Sequence, residues 1–177
     1  MSEEADVAWK VKYICVKTEG TWEYVSRVRG ISAAVILAVD EGHVILVEQY
    51  RVPLGRSCLE LPAGLIGDEE EGEAVEVAAI RELEEETGYR AEHMVDLGRF
   101  HASPGMSSEG FTLLRAERLT KVGEGGGVEN ENIIVHRVPL GDLPAFVEQK
   151  RAEGLAMDVK MLLLLAPALL GVAGAPA

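Results

Sequence analysis

Two apolar runs set side by side constrain this chain more than any other feature. Residues 31–39 read Ile-Ser-Ala-Ala-Val-Ile-Leu-Ala-Val, and after Asp40-Glu41-Gly42 a second, shorter run at 44–47 lies within the segment His43 to Tyr50. A strand that alternates apolar and polar residues needs cover on one face, whereas a continuous apolar run needs cover on both. The two runs and their short turn predict a hairpin with at least one strand buried on both faces. Strands are also expected at 8–16 and 21–28, separated by Thr18-Glu19-Gly20, and at 59–61, where Pro62 ends the pairing. Further strand-like segments fall at 94–101, 110–117 and 132–138, and helices at 74–87, 142–153 and 157–170. Gly88 suits the C-terminal cap of the first helix. The expected fold is a mixed sheet with few helices, of the α+β or three-layer α/β/α kind.

Charge narrows the partners. The 177 residues carry 17 Lys and Arg against 30 Asp and Glu, a formal charge of −13. Such a balance disfavours nucleic acid, whose phosphates require a basic face. Cys15 and Cys58 match no zinc-ligand spacing and are expected as buried, reduced thiols. The opening Met-Ser-Glu-Glu-Ala-Asp lacks the basic and apolar regions of a signal peptide, so the cytoplasm is the expected location. An apolar run at 161–165 continues into Ala166-Pro167-Ala168-Leu169-Leu170. It is shorter than the roughly 20 residues a membrane span takes, so no membrane partner is expected. Its apolarity suits a helix buried on the domain and in part at a subunit interface.

The helix at 74–87 carries chemistry. Glu82 and Glu86 are four apart and stack one turn above the other, on the side of Val75, Ala78 and Ala79. A solvated acidic surface accounts for Glu76 and Glu84. It accounts poorly for two carboxylates on an apolar face, which repel unless a cation neutralises them. Hard divalent cations with oxygen ligands, Mg²⁺ or Mn²⁺, suit such a pair. Arg81 lies four before Glu85 and is placed to pair with it.

Gly67, Glu73 and then Arg81-Glu82-Leu83-Glu84-Glu85-Glu86-Thr87-Gly88-Tyr89 resemble the complete Nudix box of the Nudix hydrolases. Those enzymes cleave diphosphates linked to another moiety, usually with Mg²⁺. The resemblance implies an α/β/α sandwich with a mixed sheet over residues 31–177, preceded by a small N-terminal β segment at 1–30. It makes Glu82 and Glu86 metal ligands, with Glu85 a further ligand or a close support. Leu61-Pro62-Ala63-Gly64 resembles a stretch of one Nudix branch in which the Ala-Gly glycine is the box glycine. Here Gly67 has that spacing, which implies a three-residue insertion in the loop at 67–72. Ala63 takes the family's backbone-carbonyl metal ligand by the same analogy.

Four further pieces resemble the ADP-ribose pyrophosphatase branch. Glu48-Gln49-Tyr50-Arg51 ends the hairpin, and Arg51 contacts the substrate diphosphate by analogy. A guanidinium at a strand end is suited to that bidentate contact. Glu60 joins it among the substrate-contacting residues. Ser103-Pro104-Gly105 follows the box, with Pro104 15 residues beyond Tyr89 and Glu109 close behind. Pro104 and Gly105 are then substrate contacts, and Glu109 an acid near the site. Residues 123–127 hold four glycines, followed by Val128-Glu129-Asn130-Glu131. The resemblance makes Glu131 a metal ligand and Glu129 the general base, with Glu109 the competing base. The glycines suit a loop that stays open and closes over substrate. Gly20-Thr21-Trp22-Glu23-Tyr24 resembles the N-terminal strands of these enzymes, where Trp22 either stacks on adenine or packs within its sheet.

The resemblance therefore implies Mg²⁺-dependent hydrolysis of ADP-ribose, or a close ADP-sugar, by a homodimer with exchanged N-terminal strands. Another nucleoside diphosphate sugar such as GDP-mannose, and a Nudix-fold module that binds a nucleotide without cleaving it, are the alternatives.

Overall fold

The computed structural model describes residues 5–28, 32–66, 74–128 and 131–171. Its chain starts with a three-stranded antiparallel sheet: β1 (Asp6–Lys10), β2 (Ile14–Glu19) and β3 (Trp22–Arg27). The single strand expected at 8–16 is in fact two. The chain reverses after β1, with the Val11 N–H donating to Ile14 O at 3.0 Å. Alternation of Trp9, Val11, Tyr13 and Cys15 continues through this reversal, so periodicity alone did not mark it.

The apolar runs form β4 (Ser32–Asp40) and β5 (His43–Arg51). They turn through Glu41 and Gly42, both at positive φ (46° and 73°), which matches the twist of a two-residue hairpin. β4 and β5 pair only at Val39↔Val44 and Asp40↔His43. Beyond that point β6 (Arg56–Glu60) takes over the pairing with β5, while β7 (Ala63–Ile66) pairs with β4. The corner between them is held by the Ile36 N–H, which donates to Pro62 O at 2.8 Å. This splaying of β4 from β6 opens the main cavity.

After α1 (Val75–Thr87) come β8 (Tyr89–Arg90), β9 (His93–His101), β10 (Gly110–Glu117), β11 (Thr120–Lys121) and β12 (Ile134–Pro139). β10 runs parallel to β4 and antiparallel to β9, and β12 covers the other edge of β5. The chain closes with α2 (Leu143–Ala152), β13 (Ala156–Met157), a 3₁₀ turn at Val159–Met161 and α3 (Leu162–Leu169). The last helix starts later than the expected residue 157. β13 pairs in parallel with β6, and the Asp158 N–H donates to Leu59 O, so this stretch is spent on the sheet before the helix begins.

Alternate residues of the hairpin meet different layers. Ala34, Ile36 and Ile45 pack with Ala79 and Leu83 of α1. Val35, Val44 and Leu46 pack with Leu143 and Val147 of α2 and Leu165 of α3. The sheet is therefore covered on both faces, as its apolar runs require, and the fold is the expected α/β/α sandwich on a mixed sheet. Cys15 and Cys58 are buried free thiols. Leu165 is the buried leucine of α3, while Leu162, Leu163 and Leu169 are exposed. Among the described residues, no helix is long and apolar enough to cross a membrane.

Candidate active site

Helix α1 buries Ala78, Ala79 and Leu83, which carries Glu86 inward one turn beyond Glu82. Glu86 is only 7% exposed. The Ala63 N–H of β7 donates to its Oε2 at 3.1 Å. Burial pushes the Glu86 carboxyl up to about 8; the Ala63 N–H opposes this, the charges of Glu82 and Glu131 add to it, and Arg51 opposes it. Two further acids thus bear on one buried oxygen pair. Arg81 lies between two of the helix's acids, with Nη1 3.2 Å from Glu85 Oε2 and Nη2 3.1 Å from Glu82 Oε1.

Gly64 has a role that motif spacing did not reveal. A Cβ at this position would lie 2.1 Å from both Cγ and Cδ of Glu82, so the glutamate rests directly on the bare backbone of β7. Gly67 and Glu73, which complete the box pattern, lie outside the described residues, as does Glu129.

The glycine-rich segment departs from its expected open state. Gly126 and Gly127 donate their N–H groups to Glu86 O and Glu85 O, at 2.9 and 3.0 Å. Val122 and Gly123 both donate to Gly88 O. A Cβ on Gly125 would come within 2.4 Å of the Thr87 carbonyl carbon. These glycines serve close approach: the segment docks on the last turn of α1 and satisfies carbonyls that a helix end leaves unpaired. Lys121 adds Nζ to Thr87 O at 2.9 Å. The same docking sets Glu131 beside the helix end, where its Oε2 accepts from the Val128 N–H at 3.0 Å.

A cavity of about 600 Å³ occupies the space opened by the splayed strands, with Arg51, Glu60, Ala63, Gly64 and Glu109 on its walls. Arg51 is gripped at two points, Nε to Glu60 Oε1 at 2.6 Å and Nη2 to Oε2 at 2.8 Å. Glu60 is buried, and these bonds hold the Arg51 proton more tightly than usual. Glu109 accepts from Arg27 Nε at 2.6 Å, and Arg27 is a wall residue that the sequence reading missed. A second cavity, about 390 Å³, is lined by Trp22, Tyr24, Pro104, Gly105, Ser107 and Ser108. It forms because β3 is stitched to the Ser-Pro-Gly loop: the Val25 N–H donates to Met106 O, and the Ser108 N–H to Val25 O.

The candidate residues thus fall into three adjoining groups. Glu82, Glu86, Ala63 and Glu131 stand at the end of α1 with Glu85 on the Arg81 side. Arg51, Glu60 and Glu109 share the larger cavity with Ala63, while Trp22, Pro104 and Gly105 share the smaller one. Among the described residues, no three His, Cys, Asp or Glu side chains are already gathered into a ready-made cation cage. The donors at the end of α1 are nonetheless oxygen donors of one sign, with a buried carboxyl destabilised in its charged form. That donor set fits a hard divalent cation.

The chain is 40% identical over 120 residues to the ADP-ribose pyrophosphatase of Bacillus subtilis, a match covering 67% of this chain and 63% of that protein. It therefore spans less than two thirds of that relative's length. It is 36% identical over 147 residues to the GDP-mannose pyrophosphatase of Cronobacter sakazakii, covering 77% of this chain and 72% of that one. A solved structure titled as an ADP compounds hydrolase shares the fold, with a TM-score of 0.68 at 24% identity over 95% of this chain and 92% of that one. The family model for the NUDIX domain matches residues 28–156. Most of the chain, including both splayed strand systems and the glutamate helix, lies within that match, and the chain belongs to the NUDIX domain family.

Proposed function

We propose that this chain hydrolyses the diphosphate bond of ADP-ribose, or of a close ADP-sugar, to AMP and a sugar phosphate with Mg²⁺ as cofactor and Mn²⁺ as a substitute. The observation that carries the reading is the buried Glu86, its carboxyl raised to about 8 and flanked by Glu82 and Glu131, beside the Arg51–Glu60 clamp. Glu82, Glu86, Glu131 and the Ala63 backbone are the residues that would hold the cation. When bound, Mg²⁺ neutralises diphosphate charge and lowers the pKa of its water. Arg51, oriented by Glu60, contacts a diphosphate oxygen and stabilises the charge that develops there. Glu129 takes the proton of the attacking water, with Glu109 as the competing base. Glu85 supports the ligands through Arg81. Trp22, Pro104 and Gly105 receive the adenine, for which an aromatic wall is suited.

GDP-mannose is the second reading, favoured by the likeness to a GDP-mannose pyrophosphatase. A turnover panel of ADP-ribose, GDP-mannose, NADH and diadenosine polyphosphates separates them. The expected kcat/KM for ADP-ribose exceeds that for GDP-mannose by at least about tenfold, equivalent to roughly 1.4 kcal/mol of transition-state binding. A panel led by GDP-mannose would replace the substrate and leave the reaction class standing.

Assembly follows from the N-terminal sheet. Trp9 is 54% exposed, and Tyr13 and Trp22 each 63%, in a sheet of three short strands that cannot bury them alone. A symmetric homodimer covers these aromatics, with strands exchanged between subunits, and works in the cytoplasm. Light scattering at micromolar concentration should give twice the 19.1 kDa chain mass; a single-chain mass would remove the dimer from the account.

A further inference from the structure

One wall of the larger cavity has no role in the reaction as proposed. Met157, Asp158, Val159 and Lys160 line that cavity and take no part in the smaller, aromatic one. Asp158 is fixed from both sides: its N–H donates to Leu59 O at 3.1 Å, and its Oδ1 accepts from the Lys160 N–H at 2.7 Å. Its Oδ2 accepts from Lys160 Nζ at 2.7 Å, and that ammonium lies 5.6 Å from the centroid of Phe111, another wall residue. The side chains of Lys160 and Asp158 are only 17% and 20% exposed. A lysine at a protein surface ordinarily extends its ammonium into water. This one is folded against a ring and a carboxylate at the cavity edge.

The chemistry of the wall selects its ligand. Asp158 and Lys160 together are net neutral and present a charged acceptor beside a charged donor. A phosphate approaching Lys160 would meet the Asp158 carboxylate at almost the same place, so attraction and repulsion offset each other. A vicinal diol donates and accepts at once, and uses both groups through charge-assisted hydrogen bonds. Phe111 supplies the apolar surface that the C–H face of a sugar ring packs on. Arg51 and Glu60 stand in the same cavity, which leaves the phosphate contacts to them.

We infer that Asp158, Lys160 and Phe111 form the subsite for the polyhydroxyl moiety that leaves as the sugar phosphate. This rests on the proposed cleavage of a nucleoside diphosphate sugar, and it assigns the two ends of the substrate to different cavities. Base binding belongs to the Trp22–Pro104 side and sugar selectivity to the 157–160 wall.

The test is calorimetric titration of the 177-residue chain with ribose 5-phosphate and, separately, with AMP, in wild type, Lys160→Met and Asp158→Asn. Asparagine caps a turn as well as aspartate does, so the second variant removes charge and keeps the fold. Both variants should weaken ribose 5-phosphate by at least about tenfold while AMP changes less than about twofold, and KM for ADP-ribose should rise more than kcat falls. Lys160→Arg should recover part of the loss. Unchanged ribose 5-phosphate binding in both variants, equal weakening of AMP, or no ribose 5-phosphate binding to wild type would each overturn the subsite. Lys160-dependent ribose 5-phosphate binding in a wild-type protein that leaves ADP-ribose intact would support the subsite and overturn the substrate reading instead.

Discussion

Glu86→Gln and Glu82→Gln should each lower turnover by at least about a hundredfold, the scale seen when one charge-stabilising group is removed from an active site. The two variants differ in what they do to the metal-free fold. Glu86 is the acid that burial raises from 4.5 to about 8. Between those values the folded chain holds a proton that the unfolded chain has released. The stabilisation is therefore complete below about pH 4.5 and is lost as pH rises through 8. Metal-free wild type should lose on the order of a few kcal/mol from this group between pH 5 and 8.5. Glu86→Gln removes the titration, so its melting temperature should stay flatter over the same interval. Thermal melts in chelator at several pH values measure this. Added Mg²⁺ should raise the wild-type melting temperature at pH 8.5 more than that of Glu86→Gln, because the cation binds the deprotonated form. Near-normal turnover in either variant would show that the cation, if used, is held elsewhere.

Gly125→Ala should be among the most damaging changes outside the acids. Gly125 has φ +73°, and its added Cβ would meet Thr87 C at 2.4 Å and Glu86 O at 2.7 Å, both backbone atoms that cannot step aside. Strain and overpacking together predict a stability loss of about 2–4 kcal/mol. Undocking also breaks the Gly126 and Gly127 hydrogen bonds to the carbonyls of Glu86 and Glu85, and so moves Glu131 away from the acid pair. Turnover should fall at least about tenfold even well below the melting temperature, since small misplacements of catalytic groups are costly. Gly98→Ala is the control. Its φ is +104° with nothing within 4 Å of the new Cβ, so it carries backbone strain without the clash and should keep its activity. Equal kcat in Gly125→Ala and Gly98→Ala would mean that the glycine segment does not position the site.

The layers and the glutamate helix were legible in the sequence because both are written in local periodicity. The continuous apolar run at 31–39 demanded cover on two faces, and the four-residue step from Glu82 to Glu86 put acids on an apolar face. The features that stayed hidden depend on pairing between distant segments. β7 begins immediately after Pro62 and contains Gly64, so its residues read locally as a turn, yet it pairs with the start of β4. Gly64 itself is explained by a side chain 18 positions later in the chain. The glycines at 123–127 carry the local signal of flexibility, and only the end of α1 reveals them as a docking surface. Lys160 looks like an ordinary charged residue beside a leucine-rich helix until β13 places its turn along the cavity. Arg27 likewise acquires meaning only through Glu109, 82 residues away.

The most direct measurement is chromatographic quantification of products from ADP-ribose with Mg²⁺, run with wild type, Glu86→Gln and wild type in excess chelator. The proposed hydrolysis should give AMP and ribose 5-phosphate in equal amounts from wild type and a rate lower by at least about a hundredfold in the other two. Intact ADP-ribose after prolonged incubation with wild type, or equal product from Glu86→Gln, would contradict it.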